Sequence, residues 1–429
     1  MKNKLLFLLP FLLSSCSGPT NFDGEIKQAK ELGKIIINNN DSLSLKSCSK
    51  NFNSFALEFM TQYFLKENKE NNNLLLSPLT VYECFNFAKE CANGKTQSEI
   101  DSLLSSCENI PQDLLYRAFN YDKKIESDDL HEVDQLTQIL DNSIWIDNEV
   151  SYKQDCIDHL ANDFYVSSYK TDFKNNPSES SQIINNYCFD KTNGFLNPGF
   201  IFDSDTYFTL ISSYYLKALW QEHGSELPLT VDEYTFVNND KSFKKTKLNQ
   251  KIEEKRIFSN DQCSSVMLND TTKNIGCYFI VPNQGYNIID IMNKDNLSKV
   301  LSYDYSNDTE TKYVYETTCL FPSFTIENNV SIREEISNLG VHDLFSTKCD
   351  FSRLTDVPVY CNDVQHVNKI EVGRRGIEGA SITAMVMCGT AYVEDKRIKI
   401  QQNFVVDKSF GFVITSMNIP TFIGIVNKL

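Results

Sequence analysis

One stretch near the C-terminus limits what this chain can fold into: residues 374–397 suit both an exposed loop and a strand inside a sheet. It opens Gly373-Arg374-Arg375-Gly376-Ile377-Glu378-Gly379-Ala380-Ser381-Ile382-Thr383. Glycines and small residues let such a backbone bend freely. Ile377, Gly379, Ser381 and Thr383 nonetheless fall on one face of an extended chain, and none is charged or too bulky for a sheet interior. Between residues 382 and 393 β-formers dominate, with Gly389 as the only breaker. Held out as a loop, this is a strand without a sheet, which is normally an aggregation hazard. Arg374 and Arg375 on one side, and Glu394, Asp395, Lys396 and Arg397 on the other, blunt that hazard with charge.

The remaining pattern supplies the sheet. Phe52, Phe55, Ala56, Phe59 and Tyr63 recur at helical spacing, and Leu74-Leu75-Leu76 reads as a short apolar strand. Helices are expected over residues 79–90 and 96–104, then strands over 142–146, 207–220, 275–281 and 313–321. Helices first and long strands later, with no linker and no repeat, predict an α+β domain with a large sheet over residues 51–429. An apolar fraction of 41%, with 29 Phe and 20 Tyr, is ample for its core and excludes a wholly disordered chain.

The N-terminus has another texture. Lys2 and Lys4 precede an apolar run over residues 5–13, which ends in Leu13-Ser14-Ser15-Cys16. That is the layout of a secretory signal over residues 1–15, too short to span a bilayer. It resembles the bacterial lipobox, in which the Cys becomes the lipidated first residue, so Cys16 is expected to carry acyl chains that anchor the protein to a membrane. The expected location is the bacterial envelope, at the outer membrane or cell surface. Residues 16–50, rich in Asn and Ser with a helical patch over 26–37, read as a polar tether.

Charge and motifs exclude several functions. Lys and Arg total 41 against 57 Asp and Glu, a net charge of −16, and that field repels nucleic acid. A basic stretch over residues 241–256 reads as a solvated ribbon. The 13 Cys show no zinc-knuckle or redox spacing, so neither a metal site nor a cofactor is expected. Gly94-Lys95-Thr96 ends like a phosphate loop, but position 89 is Lys where that motif needs Gly. There is no Gly-x-Ser-x-Gly elbow, and His131-Glu132 lacks the second His of a zinc-protease helix. Nothing marks an enzyme.

Separated segments carry a family resemblance. Leu76-Ser77-Pro78-Leu79-Thr80, Asn93-Gly94-Lys95-Thr96, Ile184-Asn185-Asn186-Tyr187 and Tyr215-Leu216-Lys217-Ala218-Leu219-Trp220 follow one another in order. Phe279-Ile280-Val281-Pro282, Phe321-Pro322-Ser323-Phe324, Asp350-Phe351-Ser352-Arg353-Leu354 and Gly424-Ile425-Val426-Asn427 continue it. With the stretch from Glu371 to Ala384, this order resembles the serpin family from about residue 52 onward.

The resemblance implies helices packed on a large mixed sheet, smaller sheets and an exposed reactive-centre loop. It implies a single-use covalent trap for a serine or cysteine protease, acting as a monomer, in which the cleaved loop inserts into the central sheet. Gly376, Ile377, Glu378, Gly379, Ala380, Ser381, Ile382 and Thr383 would be the hinge. The family's usual loop length places the attacked bond at Thr390-Ala391, with Tyr392, Lys396 and Arg397 as alternatives. Ser77, Thr80, Ser212 and His366 fall where serpins keep a polar cluster beneath the strands that part, with Ser212 replacing the usual Asn. Trp220 falls where serpins have a Trp under the point of first insertion. Arg374-Arg375, Ile377 and Gly379 depart from the usual hinge, which leaves a non-inhibitory binding or scaffold protein as the alternative.

Overall fold

A computed structural model describes residues 24–29, 39–67, 71–107, 110–126, 132–221, 224–307, 312–377 and 397–429. Among these residues the central sheet is mixed and eight-stranded. Its strands in chain order are β1 (Glu25–Lys27), β2 (Tyr121–Glu126), β3 (Glu132–Asp147), β4 (Val166–Thr171), β5 (Phe208–Leu219), β6 (Phe324–Ser331), β7 (Gln365–Val372) and β8 (Gly376–Ile377). Their spatial order is β1-β4-β3-β5-β8-β7-β6, with β2 paired to β3. The β3–β4 pair is parallel and its neighbours are antiparallel. A six-stranded sheet that includes Leu74–Leu76, Ile275–Pro282, Phe410–Ser416 and Ile419–Val426 lies behind it.

The core fills the space between these sheets and two helices, α1 (Asn39–Glu67) and α2 (Pro78–Cys91). Phe52, Phe59 and Tyr63 on α1, and Leu79, Phe85 and Phe87 on α2, are buried because apolar residues recur on the inward faces. Pro78 opens α2 at a position where its missing N–H and fixed φ cost nothing. A second cluster of Trp145, Tyr169, Phe173, Ile184 and Ile211 packs α3 (Pro177–Lys191) onto the opposite face of the central sheet.

Several expected elements match the structure closely, among them Leu74–Leu76 and Tyr313–Phe321. One does not. At the start of the patch read as helical over residues 26–37, the overlapping strand Glu25–Lys27 forms β1 and pairs antiparallel with β4. The outer edge of β4 offers unpaired N–H and C=O groups, and an extended neighbour satisfies them. Gly24 O accepts from Lys170 N at 2.5 Å, and Lys27 Nζ reaches Asp158 at 2.7 Å.

The basic stretch divides in two. Lys241, Lys244, Lys245 and Lys247 lie exposed around the hairpin of Tyr234–Val237 and Phe243–Thr246. Lys251 and Lys255 are half-buried against Glu253, and burial pushes the Lys255 amine down to about 8. Among the described residues no helix is long and apolar enough to cross a membrane, and all eleven cysteines are free.

Candidate functional site

Among the described residues, strands β5 and β7 run side by side without pairing to each other, and only the two-residue β8 joins them, at one end. Gly376 pairs with Leu219, and Ile377 pairs with Ala218 on one side and Val372 on the other. Below Ile377 lies an open slot, floored by Ser77 and Thr80 and flanked by Ser212, Tyr215, His366 and Ile370. No described strand fills it. Phe195, Leu196 and Pro198, in the segment after α3, line its outer side. Lys369 Nζ sits 4.7 Å from the centre of the Phe195 ring.

The hinge differs from expectation in this respect. Gly376 and Ile377 were expected in an exposed loop, but they lie within the sheet, and Ile377 is 2% exposed with its side chain in the core. Two neighbouring backbones supply pairing partners, and burying an isoleucine is favourable by about 1.5–3 kcal/mol. Only glycine fits at 376, since a Cβ there would lie 1.9 Å from the Ala218 carbonyl oxygen.

The turn that leads into β8 is fastened tightly. Trp220 Nε1 donates to Gly373 O at 2.7 Å, and Trp220 N donates to Arg375 O at 2.9 Å. Leu227 N donates to Arg374 O at 2.8 Å, and Gly373 N donates to Gly376 O at 3.0 Å. The indole itself is buried, with Phe321 edge-on at 5.9 Å and Lys251 Nζ 5.8 Å from the ring centre.

The polar cluster comes together as one group. His366, on β7, accepts at Nε2 from Ser77 N at 3.0 Å, the first free amide of α2. Thr80 Oγ1 donates to Ser77 O at 3.2 Å. Burial holds the His366 imidazole down to about 3, because the charged ring would lose its hydration. Ser77 Oγ and Ser212 Oγ are buried beside the slot with no hydrogen-bond partner among the described residues. Such groups retain unused capacity for a strand that arrives later.

Sequence reasoning missed several residues here. Asn142, opposite Ser212 in the β3–β5 register, donates from Nδ2 to Glu83 Oε2 at 2.8 Å. Burial raises the Glu83 carboxyl to about 7. Asn368 Nδ2 donates to Asn328 Oδ1 at 3.1 Å, and Asn328 Nδ2 reaches Leu75 O at 2.8 Å, which ties β7 and β6 to the strand before α2. No local pattern marks these residues, because the partner of each lies far away along the chain.

Cys16 and residues 378–396 lie outside the described residues. These include hinge residues Glu378, Gly379, Ala380, Ser381, Ile382 and Thr383, and bait residues Thr390, Ala391, Tyr392 and Lys396. Arg397 is half-buried immediately before the strand Ile398–Val405.

A central sheet with a slot between β5 and β7 that no described strand fills, and a hinge seated at its mouth, defines the architecture, and comparison places it. The sequence profile of Serpin (serine protease inhibitor) matches residues 50–429, so the chain belongs to the serpin family. A serine protease inhibitor of Cyanea capillata is 24% identical over 371 residues, spanning 83% of this chain and 92% of that protein. Among solved structures, the native state of the thermophilic serpin tengpin matches with a TM-score of 0.70 at 17% identity, over 94% of this chain and 98% of that one. Human thyroxine-binding globulin matches equally, with a TM-score of 0.70 at 18% identity over 90% and 99%. Both structural likenesses establish a shared fold.

Proposed function

We propose that this protein inhibits a serine or cysteine protease by covalent trapping and is not a catalyst. The observation that carries this reading is the slot between β5 and β7, with Gly376 and Ile377 already seated at its mouth. The protease attacks the reactive loop, at Thr390-Ala391 in the favoured register, with Tyr392, Lys396 and Arg397 as alternatives. It forms an acyl-enzyme, which frees the hinge from the C-terminal part of the chain. The hinge then continues β8 down the slot and pairs on both sides. On the order of ten ladder bonds at ~0.5–1.5 kcal/mol each, together with buried side chains, make that step effectively irreversible. Ser77, Thr80, Ser212 and His366 would be the groups that β5 and β7 part against.

The sequence of residues 1–16 supports an exported, lipid-anchored protein held through Cys16 in the bacterial envelope. On that reading, β1 leaves only residues 17–23 between the anchor and the folded domain, a reach under about 30 Å. The domain then works close to the bilayer.

The test is incubation of residues 17–429 with elastase-like, trypsin-like and papain-like proteases. An SDS-stable complex is expected with at least one, and mass spectrometry of the released C-terminal peptide identifies the cleaved bond. Ile377→Arg should convert inhibitor to substrate, because a guanidinium has no partner at that buried position. Clean cleavage with no complex and no gain in heat stability would sink the trap and favour a binding or scaffold role.

A further inference from the structure

We infer that Glu226 is a positioning residue whose carboxylate, shared between Arg374 and Arg375, seats the hinge at the mouth of the slot. Two adjacent arginines on a tight turn repel each other. The sequence alone offers no reason for them where serpin hinges are usually acidic. The structure supplies one: Arg374 Nη1 lies 2.6 Å from Glu226 Oε2, and Arg375 Nε lies 3.3 Å from Glu226 Oε1. Arg374 Nε also donates to Leu227 O at 3.1 Å.

The pairing is geometrically selective. Backbone bonds from Leu227 and Trp220 hold the turn against the segment that follows β5, and Glu226 stands in that same segment. An acidic pair at 374 and 375 would set three carboxylates against one another. The arginines and Glu226 are therefore a matched set, reversed in sign from the usual hinge. Lys251, the cation over Trp220, is engaged by Glu253 at 3.1 Å and by Trp220 O at 3.1 Å.

Seating matters because β8 is the point from which a longer strand would grow. A hinge with two residues already paired starts insertion without first closing a loop, whose entropy otherwise delays non-local pairing. Loss of the clamp should slow insertion relative to deacylation, so more inhibitor is cleaved as substrate. This effect on rate rests on the trapping function proposed above, whereas the seating rests on the contacts alone.

The two claims separate experimentally. Glu226→Gln removes the charge and keeps the shape, and the triple variant Glu226→Arg, Arg374→Glu, Arg375→Glu restores opposite charges in reverse. Amide exchange of residues 373–377 should rise roughly two- to fivefold in Glu226→Gln and return toward wild type in the triple variant. The difference should shrink in about 1 M salt, since all three side chains are partly exposed. The stoichiometry of inhibition should rise and recover in parallel. Unchanged exchange in Glu226→Gln, or no recovery in the triple variant, overturns the clamp. Altered exchange with unchanged stoichiometry overturns its role in insertion. A wild-type protein that traps no protease refutes the trap, and the exchange data still decide the clamp.

Discussion

Lowering the pH from about 7.5 to about 5 should weaken the seam at His366 by roughly 2 kcal/mol. The folded imidazole is held down to about 3 by burial, against an ordinary value of 6.5. The unfolded chain therefore takes up a proton that the folded protein refuses. This contribution to stability is complete above pH 6.5 and drains away as the pH falls toward 3, by about 1.36 kcal/mol per unit. The native contact also needs the neutral ring, since Nε2 accepts from Ser77 N.

Total stability of the wild type hides this slope. Glu83, raised to about 7 from 4.5, takes up its proton in the folded state and opposes His366 across the same window. The comparison must therefore be made against His366→Gln, whose side-chain oxygen can accept from Ser77 N without titrating. Unfolding entropy of ~2.1 cal/mol/K per residue, over the domain matched at residues 50–429, converts 2 kcal/mol to a change of roughly 2–3 °C. Melting temperatures of both proteins at half-unit pH intervals supply the measurement. Wild type should lose its advantage over His366→Gln progressively below about pH 6.5. Parallel curves would refute the reasoning.

Two further perturbations address the same site. Glu83→Gln keeps an acceptor for Asn142 and removes the titration. Because a raised carboxyl value stabilises at low pH and that benefit is lost as pH rises from 4.5 to about 7, the variant should gain about 3 kcal/mol on wild type over that window in paired melts; a constant difference would show that Glu83 is solvated. Gly376→Ala places a Cβ against Ala218 O, so β8 should leave the sheet and forfeit the ~1.5–3 kcal/mol of Ile377 burial. Faster amide exchange at residues 376–377 and a lower melting temperature are expected, and wild-type values for both would show that the strand tolerates the methyl group.

Much of the fold is legible along the chain. The strand Leu74–Leu76, the helix Pro78–Cys91 and the strand Tyr313–Phe321 follow from runs of apolar residues, whose spacing acts on nearest neighbours. Ile377, which the sequence marks as fit for a sheet interior, is buried in the core. Strand β3 extends well beyond the residues expected of it because Gln138, a polar break in the pattern, is buried with its Oε1 accepting from Tyr214 OH at 2.6 Å.

Only the tertiary structure decided how the hinge rests. Sequence assigned Gly376 and Ile377 to an open loop, and β5 and β7 drew them into the sheet. Sequence left Arg374 and Arg375 as an anomaly, and Glu226, 149 residues away from Arg375, gave them a partner. Ser77 and His366, 289 residues apart, meet only because α2 begins beneath β7. β1 is a strand because β4 had an edge to fill, whatever its local spacing suggested. Periodicity reports which face of an element seeks burial. It carries no address for a partner hundreds of residues away, so loop or strand at the hinge was settled by the sheet that receives it.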